Sequence, residues 1–231
     1  MKTIDLIDTL RKRPVFRRQD IERYANCDSK YAKLILNRLL HRKLIKRVWR
    51  NAYTTKDNIY AIASNLIYPS YISFWSASYF LGYTEQIVNT IQIATTSNVN
   101  RVVLITFENY KIKIIPIKMF FGYRKLATND GDIFIAEDEK LIIDAFLKPK
   151  ECGNFDEIIK IIENSSITED KLVTYLEKVN KSSISKRVGY LIEKIKEIDI
   201  SKSLELDNNY IMLNPFSRKW KEINAKWRIR V

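Results

Sequence analysis

Apolar residues recur at helical spacing in three short blocks at the start of the chain. In "TIDLIDTLRKR", Ile4, Leu6, Ile7 and Leu10 share a face, Thr3 is placed to cap the helix and Pro14 stops it. "VFR" reads as a short extended piece, and Gln19 to Ala25 as a second helix with Ile21 and Tyr24 on one side. After the turn "NCD", the stretch "SKYAKLILNRLLHRK" predicts a third helix capped by Asp28 or Ser29. Its inner face gathers Ala32, Ile35, Leu36, Leu39 and Leu40. Lys30, Leu34, Asn37, Arg38 and His41 lie opposite, with Tyr31 and Lys33 on the flanks. The period then changes from helical to alternating. In "LIKRVWRNAYTT", Ile45 and Val48 precede a bend and Tyr53 follows it, with Asn51 suited to positive φ, so a hairpin is expected. Helix, short strand, helix, helix, hairpin is the order of a winged helix-turn-helix DNA-binding domain, expected over residues 1–60.

Beyond this point the pattern mixes both periods. Residues 57–68 begin another helix, and Ser70 to Leu81 predicts a further one closed by Gly82. In that helix Ile72, Trp75, Tyr79 and Phe80 are expected to face inward, with Ser73, Ser76 and Ser78 letting neighbours pack closely. "TIQIATT", "RVVLITFENYKIKIIPI" and, after the turn at Asn129, Asp130 and Gly131, "DIFIA" are β-branched and read as strands. Helical spacing returns at Asp138 to Phe146, Asn154 to Ile162, Thr168 to Val179 and Ser185 to Ile195. The fold class expected is α+β: a winged helix-turn-helix domain followed by a mixed α/β domain over residues 61–231.

Charge gives the first functional direction. The chain carries a net +13, and residues 1–60 hold 16 Lys or Arg against 6 Asp or Glu, whereas residues 61–100 hold only Glu85. A polyanion releases counterions when lysines and arginines replace them, so a basic N-terminal segment of this shape suits nucleic acid. The DNA-binding candidates are Arg17, then Lys30, Tyr31, Lys33, Asn37 and Arg38 of the third helix, then Lys46, Arg47 and Arg50 of the wing. An amide such as Asn37 matches adenine in the major groove, and Lys or Arg matches guanine. Arg50, at the wing tip, is placed to enter a narrow minor groove. A solvated charged face without a ligand explains the same residues less fully, because it leaves their coincidence with helix-turn-helix spacing unexplained.

Other chemistries find little material. His41 is the one histidine, which argues against a His-based triad or a His-rich metal site. The five glycines, Gly82, Gly122, Gly131, Gly153 and Gly189, form no phosphate-cradling loop. Carboxylates gather at "NDGDIFIAEDEK", where Asp132, Asp138 and Lys140 superficially suit a magnesium-dependent nuclease. A turn followed by an acidic helix N-terminus explains them as well, through the helix dipole. Cys27 and Cys152 make neither a disulfide framework nor a metal cluster. No stretch approaches a membrane span, and no signal peptide is evident. The expectation is a cytoplasmic protein that is not an enzyme and uses no cofactor or metal.

The tract "PSYISFWSASYFLGYTEQ" followed by "IQIATT", then "EDEKLIIDAF" and "RVGYLIEKI", resembles the AbiEi family of abortive-infection antitoxins, also described as transcriptional regulators of viral defence systems. "RLLHRKLIKRVWRNAY" resembles that family's helix and wing. The sequence departs from the family where Lys43 and Asn51 stand at positions commonly held by Gly. The resemblance implies a type IV antitoxin that binds repeats in its own operator, represses its operon and counteracts a nucleotidyltransferase-type toxin encoded beside it, without a stable complex being required. Two alternatives stay open: a ligand-responsive winged-helix repressor without a toxin partner, and a metal-dependent nuclease using Asp132 and Asp138. The six Lys or Arg of "NPFSRKWKEINAKWRIRV" form a second basic stretch able to touch nucleic acid.

Overall fold

In the computed structural model, which describes residues 3–97 and 99–231, the three N-terminal apolar blocks are helices. They are α1 (Thr3–Arg11), α2 (Arg18–Ala25) and α3 (Ser29–His41), followed by the antiparallel hairpin of β1 (Lys46–Trp49) and β2 (Ala52–Thr54). Their inner faces close on one core of Leu6, Ile7, Leu10, Phe16, Ile21, Ala32, Leu36, Leu39 and Ile45. Each fully buried Leu or Ile there contributes about 1.5–3 kcal/mol. Phe16 exchanges two backbone hydrogen bonds of 2.9 Å with Tyr53, which ties the extended piece after α1 to the hairpin. Thr54 donates its hydroxyl to the Pro14 carbonyl at 2.6 Å on the same side.

The structure is mixed α+β throughout, and the chain divides into two compact units that are not consecutive stretches. One comprises Met1–Ile72, Asn89–Lys118 and Arg124–Ile135; the other comprises Ser73–Val88, Met119–Tyr123 and Ala136–Val231. The expected cut near residue 60 separates segments by composition. The compact units instead put strands from beyond residue 60 together with the N-terminal helices, a grouping to which the Lys46–Glu108 ion pair contributes.

In the first unit, α4 (Ile59–Ser64) is capped by Asn58, whose side chain accepts from the Tyr60 and Ala61 amides. β3 (Ser70–Ile72), β4 (Thr90–Thr95), β5 (Val103–Phe107), β6 (Tyr110–Pro116), β7 (Tyr123–Leu126) and β8 (Ile133–Ala136) form a six-stranded mixed sheet in the order β5-β6-β4-β3-β8-β7. β3 corrects the expectation of a single helix over Ser70–Leu81. Ser70, Tyr71 and Ile72 pair antiparallel with Thr95, Ala94 and Ile93, and all three are buried. A strand buried on both faces has no polar side to reveal its period, so three such residues read as well for a helix. β7 carries no alternation, with two exposed cations in "YRKL", so its sequence does not mark it as a strand.

The second unit is mainly helical. α5 (Phe74–Phe80) buries Phe74, Ser76, Ala77 and Ser78, while Trp75, Tyr79 and Phe80 are only half-buried. The expected inward face is therefore rotated within the helix: Phe74 and the small residues Ser76, Ala77 and Ser78 lie inward, and the rings of Trp75, Tyr79 and Phe80 stay partly exposed. Phe74 takes φ 58, a left-handed conformation costing a bulky residue roughly 1–2 kcal/mol. α6 (Asp138–Leu147) is buried from Asp138 to Phe146, and α7 (Phe155–Asn164), α8 (Glu169–Val179) and α9 (Ser182–Lys196) complete the helices. A small sheet of β9 (Ile211–Met212), β10 (Ile223–Asn224) and β11 (Ile229–Arg230), in the order β10-β11-β9, was not expected from sequence, since two-residue strands show no period. Trp227 is fully buried there against Gly189 of α9, where a Cβ would collide with the indole ring.

Candidate nucleic-acid interface

Local chemistry fixes both ends of α3. Asp28 caps the N-terminus, accepting from the Tyr31 amide at 2.7 Å. At the other end the Lys43 amide reaches the Leu40 carbonyl at 2.9 Å and the Leu44 amide reaches Leu39 at 3.0 Å, the two bonds of a Schellman ending. That ending puts Lys43 at φ 54, and the hairpin turn puts Asn51 at φ 53. These are the two positions where the resembled family commonly has Gly, and both side chains tolerate the left-handed region here. Asn51 also pins the turn, accepting from the Arg18 amide at 3.1 Å and donating to Gln19 at 3.0 Å.

Between these ends the expected outer face is in solvent. Lys30, Tyr31, Lys33, Leu34, Asn37, Arg38 and His41 are all exposed, with Tyr31 at 49% and Leu34 at 50%, while Ala32, Leu36 and Leu39 beneath them are buried. Among the described residues Lys30, Lys33 and Arg38 enter no ion pair. Three uncompensated cations and one amide thus project from a rigid helix, an arrangement able to meet phosphates and base edges. Arg47 and Arg50 of the hairpin are exposed too, and Arg47 makes only a 3.5 Å contact to the Trp49 carbonyl.

Two of the expected contacts have partners within the protein, although Arg17 is itself exposed. Lys46 is half-buried and bridges two carboxylates, Asp57 at 2.5 Å and Glu108 at 2.8 Å. Those hydrogen bonds, Asp57 first, raise its pKa and satisfy its charge within the protein, so it offers a phosphate less than its sequence position implies. Arg17 donates to the Leu66 carbonyl at 3.0 Å and serves α2 as its N-cap residue. Arg42 and Lys43, which the sequence reading left out of the set, are exposed at the end of α3. The signal for them is the basic run "HRK" that closes the third-helix stretch.

No protein-family model matches the chain, and no curated relative matches it. The functional reading therefore stands on the residues.

The carboxylate-rich segment resolves differently. Asp138 accepts from the Tyr83 hydroxyl at 2.9 Å and the Ser166 amide at 2.8 Å, and Glu139 accepts from the Thr168 amide at 3.0 Å. Glu137 accepts from Tyr175 at 2.5 Å and, with Glu139, pairs with Lys171 at 3.2 and 3.3 Å. Burial together with Glu137 pushes the Tyr175 phenol well up. Lys140 pairs with Asp144 inside α6, and Asp132 pairs with Lys125 at 3.2 Å. These acids are held by protein donors in their own units, which favours the reading of an acidic helix start over that of a metal-activating site. Among the described residues no cluster of three or more His, Cys, Asp or Glu suits a metal, and no helix is long and apolar enough to cross a membrane.

Proposed function

We propose that this chain is a DNA-binding antitoxin of the AbiEi kind, which represses its own operon through a winged helix-turn-helix segment and counteracts a nucleotidyltransferase-type toxin encoded beside it. One observation carries the DNA-binding half: Lys30, Lys33, Asn37 and Arg38 stand in solvent on α3, the three cations without an ion pair among the described residues, over a buried stripe of Ala32, Leu36 and Leu39. In this reading α3 is the recognition helix and the β1–β2 hairpin the wing, with Arg50 at its tip. Helix order, the exposed cations and the polarised charge all support it. The antitoxin half rests on the resemblance of "PSYISFWSASYFLGYTEQ" and the later segments to that family.

Footprinting of the full-length protein on DNA upstream of its own operon tests the first half. Lys33→Ala and Asn37→Ala are expected to change sequence preference, because they remove base-edge contacts; a footprint indifferent to both overturns the assignment of α3. Co-expression of the full-length chain with the neighbouring gene tests the second. Rescue of growth supports the antitoxin reading, whereas repression without rescue favours a repressor that lacks a toxin partner. Fragments divided at residue 60 are unsuitable, since the division cuts through a compact unit.

A further inference from the structure

The second unit presents another surface, remote in sequence from α3 and of different chemistry. Trp220 is 49% exposed and Phe216 45%, unusual for rings of this size next to a small sheet. The Arg230 guanidinium lies over the Trp220 ring, 5.0 Å from its centroid, a cation–π contact that holds the indole while leaving it half exposed. Trp220 and Arg230, with Phe155, Met212 and Leu213, line a cavity of about 350 Å³, near the lower limit of ligand pockets, roughly 300–1,000 Å³. Lys219, Lys221 and Glu222 also line it, giving three cations to one acid with Arg230 counted.

These cations are not used up by the fold. Lys226 pairs with Glu193 and Asp199, and Arg228 donates to the Leu206 and Asp207 carbonyls, so two of the six basic residues of the segment are structural. Among the described residues Arg218, Lys219, Lys221 and Arg230 form no ion pair. An aromatic plane that shares its cavity with Lys219, Lys221 and Arg230, beside an apolar hollow, matches an unstacked nucleobase followed by its phosphates. In a duplex the base faces are already stacked on one another and closed to such a plane; in a single strand they are open. We infer that the Trp220 cavity binds single-stranded nucleic acid, with a base stacked on the indole and the adjoining phosphates on Lys219, Lys221 and Arg230.

The test uses the full-length protein and a fluorescein-labelled oligouridylate, read by anisotropy. Trp220→Ala is expected to weaken binding on the order of ten-fold, and Trp220→Phe to retain most of it. Lys221→Glu is expected to weaken binding as well, and provides a second measure should the alanine variant lose folded structure by circular dichroism. Lys33→Ala and Arg38→Ala are expected to leave the single strand's affinity unchanged, while Trp220→Ala leaves duplex binding unchanged, which separates this site from the α3 face. The inference fails if Trp220→Ala and Lys221→Glu both bind as the unaltered protein does, if the α3 variants abolish single-strand binding, or if free uridine monophosphate competes as well as the oligonucleotide.

Discussion

Two helices of this protein are rich in charge, and they use it in opposite ways. α3 spreads Lys30, Lys33 and Arg38 into solvent, without an acidic partner among the described residues, and buries Ala32, Leu36 and Leu39. α6 draws Asp138, Glu139, Lys140 and Asp144 out of solvent and supplies each with a partner from the protein. In the first helix burial leaves the charges available to another molecule. In the second, desolvation makes an unpartnered charge costly, and the charges are held by donors or opposite charges of the protein itself. Charge in a sequence therefore points outward to a ligand only where the fold leaves it wet and unmatched.

The largest expected effect lies on the buried side of this contrast. Asp144 is fully buried, pairs with Lys140 and accepts from the Ser73 hydroxyl at 2.8 Å. Asp144→Ala takes the carboxylate away from the buried Lys140 ammonium and should destabilise the protein by about 3–5 kcal/mol. Urea denaturation followed by circular dichroism measures it. A loss below about 1 kcal/mol would mean that the α6 charges are less committed than their geometry indicates.

Next in size are substitutions on the wet helix. Lys33→Ala or Asn37→Ala should weaken operator binding by about 1–3 kcal/mol, since one base-edge contact is lost. Stability should stay within roughly 0.5 kcal/mol, because both side chains are exposed. Gel-shift titration and thermal melting on the same preparation separate the two quantities. A variant that loses binding only in proportion to stability would erase the contrast between the helices.

Much of this contrast was legible before any coordinates. Helical spacing with caps at Asp28 and a stop before Pro14 placed α1 to α3, and the outer face of α3 was named residue by residue. Asn51 was assigned to a positive-φ turn on its chemistry alone. What the sequence concealed was burial without a period. Ser70, Tyr71 and Ile72 are buried on both sides of a sheet, so no polar alternation marked them as strand. Lys46 looked like a wing contact because its partner Glu108 lies 62 positions along the chain, beyond the reach of any local pattern. Lys140, which superficially suits the nuclease alternative by its spacing, is fully buried and paired with Asp144 one turn further along α6: spacing gives neighbours, not solvent.

Arg50 offers a smaller effect of a different kind. Exposed at the hairpin turn, it is expected to contact a phosphate or the minor groove without setting register. Arg50→Ala should reduce the slope of log affinity against log salt by about 1, uniformly across operator variants. Affinity measured between low and moderate potassium chloride gives that slope. An unchanged slope would remove the hairpin from the interface and leave α3 alone.

Lys46→Ala is the smallest effect expected, and it bears most directly on the rule drawn from the two helices. By sequence Lys46 belongs with the outward cations; by structure it belongs with the inward ones, held between Asp57 and Glu108. Its raised pKa follows from those two hydrogen bonds, so the ammonium is stabilised by this protein's own acids before any DNA arrives. A phosphate would have to compete with both carboxylates, and the pair together carries one more negative charge than Lys46 neutralises. Lys46→Ala should therefore change the salt slope by much less than Arg50→Ala does. It should cost stability no more than about 1 kcal/mol, the range of partly exposed ion pairs. Equal slopes for the two variants would show that a cation already matched within the fold still serves the ligand, and availability would then have to be judged by exposure alone.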